Sequence, residues 1–252
     1  MPAKTAHDDA VSLQRAYYAA TAGNYDSMHV ENNEGHAFAM GFFLAAARQL
    51  KAQSILDIGS GTGRALFEVK EEFPAVKVVG VEPSSDLRRI GLSKGLSQHE
   101  LIDGDAMKLD FPNESVDLVC EFGALHHIPD PSKAVAEMLR VARTAIFISD
   151  TNNFGNGGRL SRFAKQALNA MGLWPLADWV KTRGKGYTIT EGDGLAYSYS
   201  VFGDLPQIRN ACATVHMLNT KNSGPNLYRQ APNVAILGIK KPAAIRGKIK
   251  SS

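Results

Sequence analysis

The chain is poor in several things. It has two cysteines in 252 residues, Cys120 and Cys212, both in apolar surroundings and neither with a metal-binding neighbour in sequence. That excludes a disulfide scaffold and a thiolate metal frame, and both thiols are expected to be reduced core residues of a cytoplasmic protein. No metal site is expected. No run approaches the roughly 18 consecutive apolar residues that a membrane helix needs, so no stable membrane insertion is expected. The opening Met1-Pro2-Ala3-Lys4-Thr5-Ala6-His7-Asp8-Asp9 is too polar for a secretory signal. A basic platform is missing too. The formal charge is +3, but Lys240, Lys241, Arg246, Lys248 and Lys250 stand without an acid from position 240 onward, and the rest of the chain is at −2. Nucleic acid is therefore not an expected partner. The stretch 241–252 reads as a flexible, solvated basic tail. Repeats are absent, and the length suits one domain over 1–252 with an insertion.

Glycine is the residue that organises what remains. Ser54 to Ile58 reads as a buried strand that runs into Gly59-Ser60-Gly61-Thr62-Gly63, and Arg64 to Phe73 reads as a helix. Alternate glycines let a ligand approach the backbone, and the N–H groups at the helix start suit a polar or anionic group. A second strand, Lys77 to Glu82, ends in a carboxylate 19 residues after Gly63. That spacing suits an acid that grips a ribose hydroxyl. Together the two units predict an α/β sheet with an adenosine-type cofactor at its strand ends.

The motifs ILDIGSGTGR, VVGVEPS, GDAMKLDFPNESVDLV and GALHHIPDP follow in order between about Ile55 and Asp150. In that span the chain resembles the class I S-adenosylmethionine-dependent methyltransferases of small-molecule type. The resemblance implies a doubly wound, mostly parallel seven-stranded Rossmann-like sheet with a C-terminal antiparallel hairpin, and S-adenosylmethionine as cofactor. It implies cofactor contacts from Asp57, Gly59, Ser60, Gly61, Gly63, Glu82 and Pro83. Asp105 would meet the adenine amino group with Ala106 and Met107 beside the ring, and Glu121 and Phe122 would line the methionine end. Asp9 to Ala20 reads as a helix within an N-terminal lid segment, 1–34. There Tyr25 is a candidate cofactor contact and Tyr17 a candidate acceptor contact.

Leu125-His126-His127-Ile128 supplies the one candidate catalytic group. His126 could take a proton from an acceptor hydroxyl, because imidazole titrates near neutrality. Gly35 to Leu50 is expected as a helix buried between the first strand and an insert. Ser132 to Arg143 reads as a helix, Ala145 to Ile148 as the fifth strand, and Phe202 to Cys212 as a helix with Asp204 as its cap. The closing hairpin is expected from Thr214 to Thr220 and from Val234 to Lys240.

The departure from a plain domain is 151–202. Leu160, Phe163, Ala164, Ala167, Leu168 and Met171 recur at i, i+3, i+4, i+7, i+8 and i+11, which predicts an amphipathic helix with Arg159, Arg162 and Lys165 on its other side. Three charges are few for a membrane anchor. An aromatic cap over the strand ends is expected here. Asn152, Asn153, Trp174 and Tyr197, with His126, are the acceptor-binding candidates.

The expected activity is methyl transfer to a small organic acceptor at oxygen, nitrogen or carbon. A nicotinamide-dependent oxidoreductase would carry Gly-x-Gly-x-x-Gly, which is absent. A cofactor-binding module without turnover would be marked by broken glycines or a missing Glu82, and both are intact. The acceptor and the oligomeric state, monomer or homodimer, are open from sequence.

Overall fold

A computed structural model describes residues 13, 14, 17, 18, 20, 21, 34–190, 193–221 and 224–242. Tyr25, most of the N-terminal segment and 243–252 of the tail lie outside the described residues.

The main sheet contains β1 (Ser54–Ile58), β2 (Lys77–Val81), β3 (Leu101–Ile102), β4 (Val116–Phe122), β5 (Ala142–Thr151), β8 (Cys212–Asn219) and β9 (Asn233–Lys240). Their order is β3-β2-β1-β4-β5-β9-β8. The first five strands pair in parallel, and β9 runs antiparallel to both β5 and β8. This is the expected seven-stranded sheet with its C-terminal hairpin. The separate hairpin of β6 (Tyr187–Thr190) and β7 (Gly194–Tyr197) belongs to the insert.

Both faces of the sheet are covered, which is why consecutive residues of β1, β4 and β5 are buried instead of alternate ones. One face packs Leu56, Ile58 and Ile146 against α4 (Pro131–Val141), whose Ala134, Val135 and Met138 are buried. Asp130 caps α4 by accepting from the Lys133 N–H, and Pro131 starts it. The other face packs Ile55, Phe147 and Leu237 against α1 (Glu34–Gln49) through Ala39, Met40 and Phe43, with α2 (Arg64–Glu72) beside it through Ala65 and Leu66. So α1 lies on the sheet and is not sandwiched against the insert. Phe42 and Phe43 of this helix meet the aromatic rings of Phe122 and Phe147.

Ser84 caps α3 (Ser85–Ser93), as its hydroxyl accepts from the Leu87 N–H. Two boundaries move. β5 begins at Ala142, where the sequence continues the helix to Arg143, because Ala142 already pairs with Val116. The helix expected over Phe202–Cys212 shortens to α7 (Leu205–Ala211), and Asp204 makes no side-chain cap bond there. Its carboxylate instead accepts from the Tyr199 and Ser132 hydroxyls.

The insert leaves β5 and forms α5 (Arg159–Ala170), α6 (Trp174–Lys181) and the β6–β7 hairpin before α7. The short α8 (Leu227–Gln230) sits between β8 and β9. Among the described residues, no helix is long and apolar enough to cross a membrane.

Candidate active site

β1 lies between β2 and β4, so the chain reverses direction across the sheet at β1 and opens a crevice beyond its carboxyl end. Gly59, Gly61 and Gly63 take φ of +67°, +56° and +85°, the left-handed region that side chains avoid. A Cβ on Gly59 would lie 2.4 Å from Cβ of Ala124, so the turn has no room for one. The Gly59 N–H donates to the Val81 carbonyl, and the Ser60 hydroxyl donates to the Asp57 carbonyl. The loop is thus an extension of the β1–β2 ladder, with its next N–H groups at the start of α2.

Glu82 follows β2 and is buried. One carboxylate oxygen accepts from the Gly61 N–H at 3.0 Å and the other from the Ser84 N–H at 2.8 Å. Pro83 beside it is exposed. Asp105 is exposed, and its Oδ1 accepts from the Met107 N–H in a tight turn; Ala106 and Met107 are half-buried.

A cavity opens where β1, β4 and the insert meet. Its wall includes Asp57, Gly59, Ser60, Arg64, Phe122 and His126. Tyr18, His36, Thr62, His127 and Asp193 also line it; the sequence offers Tyr18 for the lid and His127 as a second choice of base, but singles out neither His36 nor Asp193. Arg64 was expected only as the start of a helix. It lies above the Phe122 ring at 5.8 Å and brings a cation to the cavity. Burial lifts the Asp57 carboxyl to about 7, against a Ser60 hydrogen bond and the Arg64 charge. Burial and then Arg64 push His36 down to about 4. Glu121 is fully buried, and its oxygens accept from the Ala124 and Ser149 N–H groups. Burial, then the charge of Asp150, holds its carboxyl well above the usual range. It supports the cavity from behind.

The histidine pair is organised by three groups. His126 Nδ1–H donates to Oδ1 of the fully buried Asp150 at 2.6 Å. His127 Nδ1–H donates to the Leu195 carbonyl of β7 at 2.6 Å. Both Nε2 atoms then face Asp193, at 3.4 Å from His126 and 3.5 Å from His127. Burial alone would lower His126, but Asp150 and Asp193 outweigh it and hold the imidazole well above its usual 6.5. Hydrogen bonds from both histidines likewise overcome burial and hold the Asp193 carboxyl far below the usual range. The donor atoms of this trio lie within 4.8 Å of one another, near enough for a cation, but here the Asp193 carboxylate spans the two imidazoles directly. Asp150 and Asp193 carry no sequence motif. Only the fold brings them to residues 126 and 127.

The expected acceptor residues are distributed differently. Asn152 is a correction. It is fully buried, its amide reaches the carbonyls of Leu227, Tyr228 and Ala231, and its oxygen accepts from the Phe154 N–H and the Ser200 hydroxyl. It ties the insert to the sheet and has no capacity left for a ligand. Asn153 accepts from Lys165. Trp174 packs edge-on against Phe154 at 5.4 Å, and Tyr197 stands against Tyr187 at 6.1 Å. None of these four lines the cavity. From the N-terminal segment Tyr18 reaches the wall, 6.2 Å from the His127 ring, while Tyr17 lies behind it on Gly194.

The glycine cradle, the buried Asp57 and the Arg64 cation fit a cofactor that joins a nucleoside to a charged amino acid. The structure and the relatives agree on this. A family model described as a methyltransferase domain matches residues 56–146. A demethylmenaquinone methyltransferase of Roseiflexus castenholzii is 39% identical over 89 residues, covering 35% of this chain and 37% of that protein. One of Deinococcus radiodurans is 34% identical over 131 residues, covering 49% and 53%. The chain thus spans about a third to a half of the length of these curated relatives. A solved S-adenosylmethionine-dependent methyltransferase of Thermotoga maritima shares the fold, with a TM-score of 0.55 at 18% identity over 90% of this chain and 100% of the other. Residues 56–146 thus match a methyltransferase domain, and over that span the chain is similar to S-adenosylmethionine-dependent methyltransferases of class I.

Proposed function

We propose that the chain transfers a methyl group from S-adenosylmethionine to a small organic acceptor that must give up a proton, with His126 as the group that takes it. The observation that carries this reading is the His126–Asp150 pair at the cavity wall, with Nδ1 anchored at 2.6 Å and Nε2 facing Asp193 of the same wall. A base oriented by a buried carboxylate is what proton removal from a hydroxyl needs. The relatives named for demethylmenaquinone support a small organic acceptor.

The Gly59–Gly63 turn would hold the cofactor, with Arg64 suited to its carboxylate and Glu82 to its ribose. Asp105, Ala106 and Met107 suit the adenine. When bound, the cofactor would supply an electrophilic methyl group on its sulfonium, with a neutral thioether as leaving group. His126 Nε2 would take the proton of the acceptor hydroxyl as that oxygen is methylated, and Asp150 would stabilise the imidazolium. Asp193 keeps the resting imidazole charged; an acceptor entering between them separates the pair, and the Nε2 proton is released to solvent so that the neutral imidazole can act as the base.

The test is a radiolabelled-methyl screen over phenols, hydroquinones and amines, followed by His126→Asn on the acceptor found. Loss of about 10²–10⁴ in kcat is expected for a general base, with S-adenosylhomocysteine affinity unchanged by calorimetry. Full turnover in His126→Asn removes the base. Failure of the wild type to bind S-adenosylhomocysteine removes the whole reading.

A further inference from the structure

The α5 helix is inside out. A helix on a globular protein normally turns its apolar stripe to the core and its polar side to water. Here the polar side holds the body. Lys165 donates to the Asn153 and Asn156 carbonyls, Gln166 to those of Phe154 and Arg229, and Asn169 to the Tyr228 hydroxyl. The apolar stripe faces out, with Leu160 86% and Phe163 72% exposed, and no residue of α5 is buried. α6, which packs on α5, repeats the pattern. Leu176, Trp179 and Val180, spaced i, i+3 and i+4, are each 62% exposed, and no residue of α6 is buried. Eight of the ten large apolar side chains exposed among the described residues lie between positions 160 and 189, so this is one patch and not scatter.

The charge around the patch is one-sided. From 159 to 185 the chain carries Arg159, Arg162, Lys165, Lys181, Arg183 and Lys185 against the single acid Asp178, while the rest of the chain has a slight acidic excess. Three charges on one helix are few, but the segment 159–185 doubles them. Trp, Phe and Leu on one side with flanking Lys and Arg is the signature of an element that lies in a lipid interface. A second copy fits poorly, because a two-fold contact would set this cationic surface against itself.

We propose that α5, α6 and the turn after them form a docking surface for an anionic lipid bilayer, with the apolar stripe entering the headgroup layer and the exposed Arg159, Arg183 and Lys185 meeting acidic headgroups. The inference stands whether or not His126 is the base. It also couples the surface to the cavity, since the β6–β7 hairpin that continues the insert supplies the Leu195 carbonyl to His127, and Asp193 precedes β7.

Sedimentation of the full chain with vesicles of phosphatidylcholine alone, and of phosphatidylcholine mixed with phosphatidylglycerol, tests it. Pelleting is expected with the anionic vesicles and not the neutral ones, and it should weaken with added salt. Trp174→Phe leaves Trp179 as the reporter, whose emission should shift to the blue on binding. Phe163→Gln and Leu176→Gln should each cut partitioning roughly tenfold or more, and Arg159→Gln and Arg183→Gln about fivefold each. Circular dichroism should show an unchanged thermal midpoint, since these side chains are exposed. No binding to either vesicle, or binding indifferent to charge and to these substitutions, overturns the proposal. So does a concentration-dependent dimer in sedimentation velocity that the same substitutions dissolve, which would make the patch a contact between copies.

Discussion

Replacing Gly59 by alanine tests the turn at the centre of the site. The new methyl group meets two separate penalties. The backbone there has φ +67°, which costs an L-residue about 1–2 kcal/mol. The new Cβ would also sit 2.4 Å from that of Ala124, where ordinary contact begins at 3.4 Å. Opening that gap in a packed site costs about 1–3 kcal/mol. Together the expected loss is about 2–5 kcal/mol. For a chain of this size that lowers Tm by roughly 4–20 °C. Thermal unfolding followed by circular dichroism reads the total, and calorimetry with S-adenosylhomocysteine reads the site. Adding Ala124→Gly separates the two penalties, because it removes the clash and leaves the φ. The double variant should regain the steric part, about 1–3 kcal/mol, and with it most of the lost affinity. A Gly59→Ala protein as stable and as tightly binding as the wild type would refute the described turn. No recovery in the double variant would refute the assignment of the clash to Ala124.

Three further outcomes are expected. Asp193→Asn removes a charge that keeps His126 protonated, so the acid limb of the kcat/KM profile should move to lower pH; an unmoved limb would detach Asp193 from the base. Asp57 is raised from 3.8 to about 7 in the folded chain. The fold therefore holds its proton over that window, and the wild type should lose stability relative to Asp57→Asn as pH rises through it, by up to roughly 4 kcal/mol; a gap independent of pH in urea unfolding would contradict the burial described. Asn152→Ala strands buried carbonyls and should lower stability by about 1–3 kcal/mol with S-adenosylhomocysteine affinity unchanged; undiminished stability with a raised acceptor KM would return Asn152 to the acceptor.

What was legible in the sequence depended on distance along the chain. The β1–turn–α2 unit is local: a five-residue strand with four residues buried, three glycines and a helix start follow within one stretch, so one window contains the whole device. The α4 cap, Asp130 with Pro131, is local for the same reason. Asp150 and Asp193 meet His126 across 24 and 67 positions, and no periodicity announces a contact set by sheet order and a hairpin. Asn152 misled because its polarity suggested a ligand, while the fold spends it on three carbonyls 75 to 79 positions away. In α5 the period was right, and it left the facing open. Spacing reveals that a stripe exists, but which side meets the body depends on partners such as Phe154, Tyr228 and Arg229 that the helix does not contain.

The neck of the insert has a consequence for how such a protein changes. Asn152 bridges to Ser200 through backbone and side chain, and the Asn153 N–H donates to the Tyr199 carbonyl, so the excursion from 153 to 199 departs and returns at one stitched point. Neither the parallel strands nor the glycine turn passes through that stitch. The outer segment can therefore lengthen, shorten or exchange its chemistry while the sheet keeps its register, and a graft cut at Asn152 and Ser200 should carry one acceptor preference onto another core.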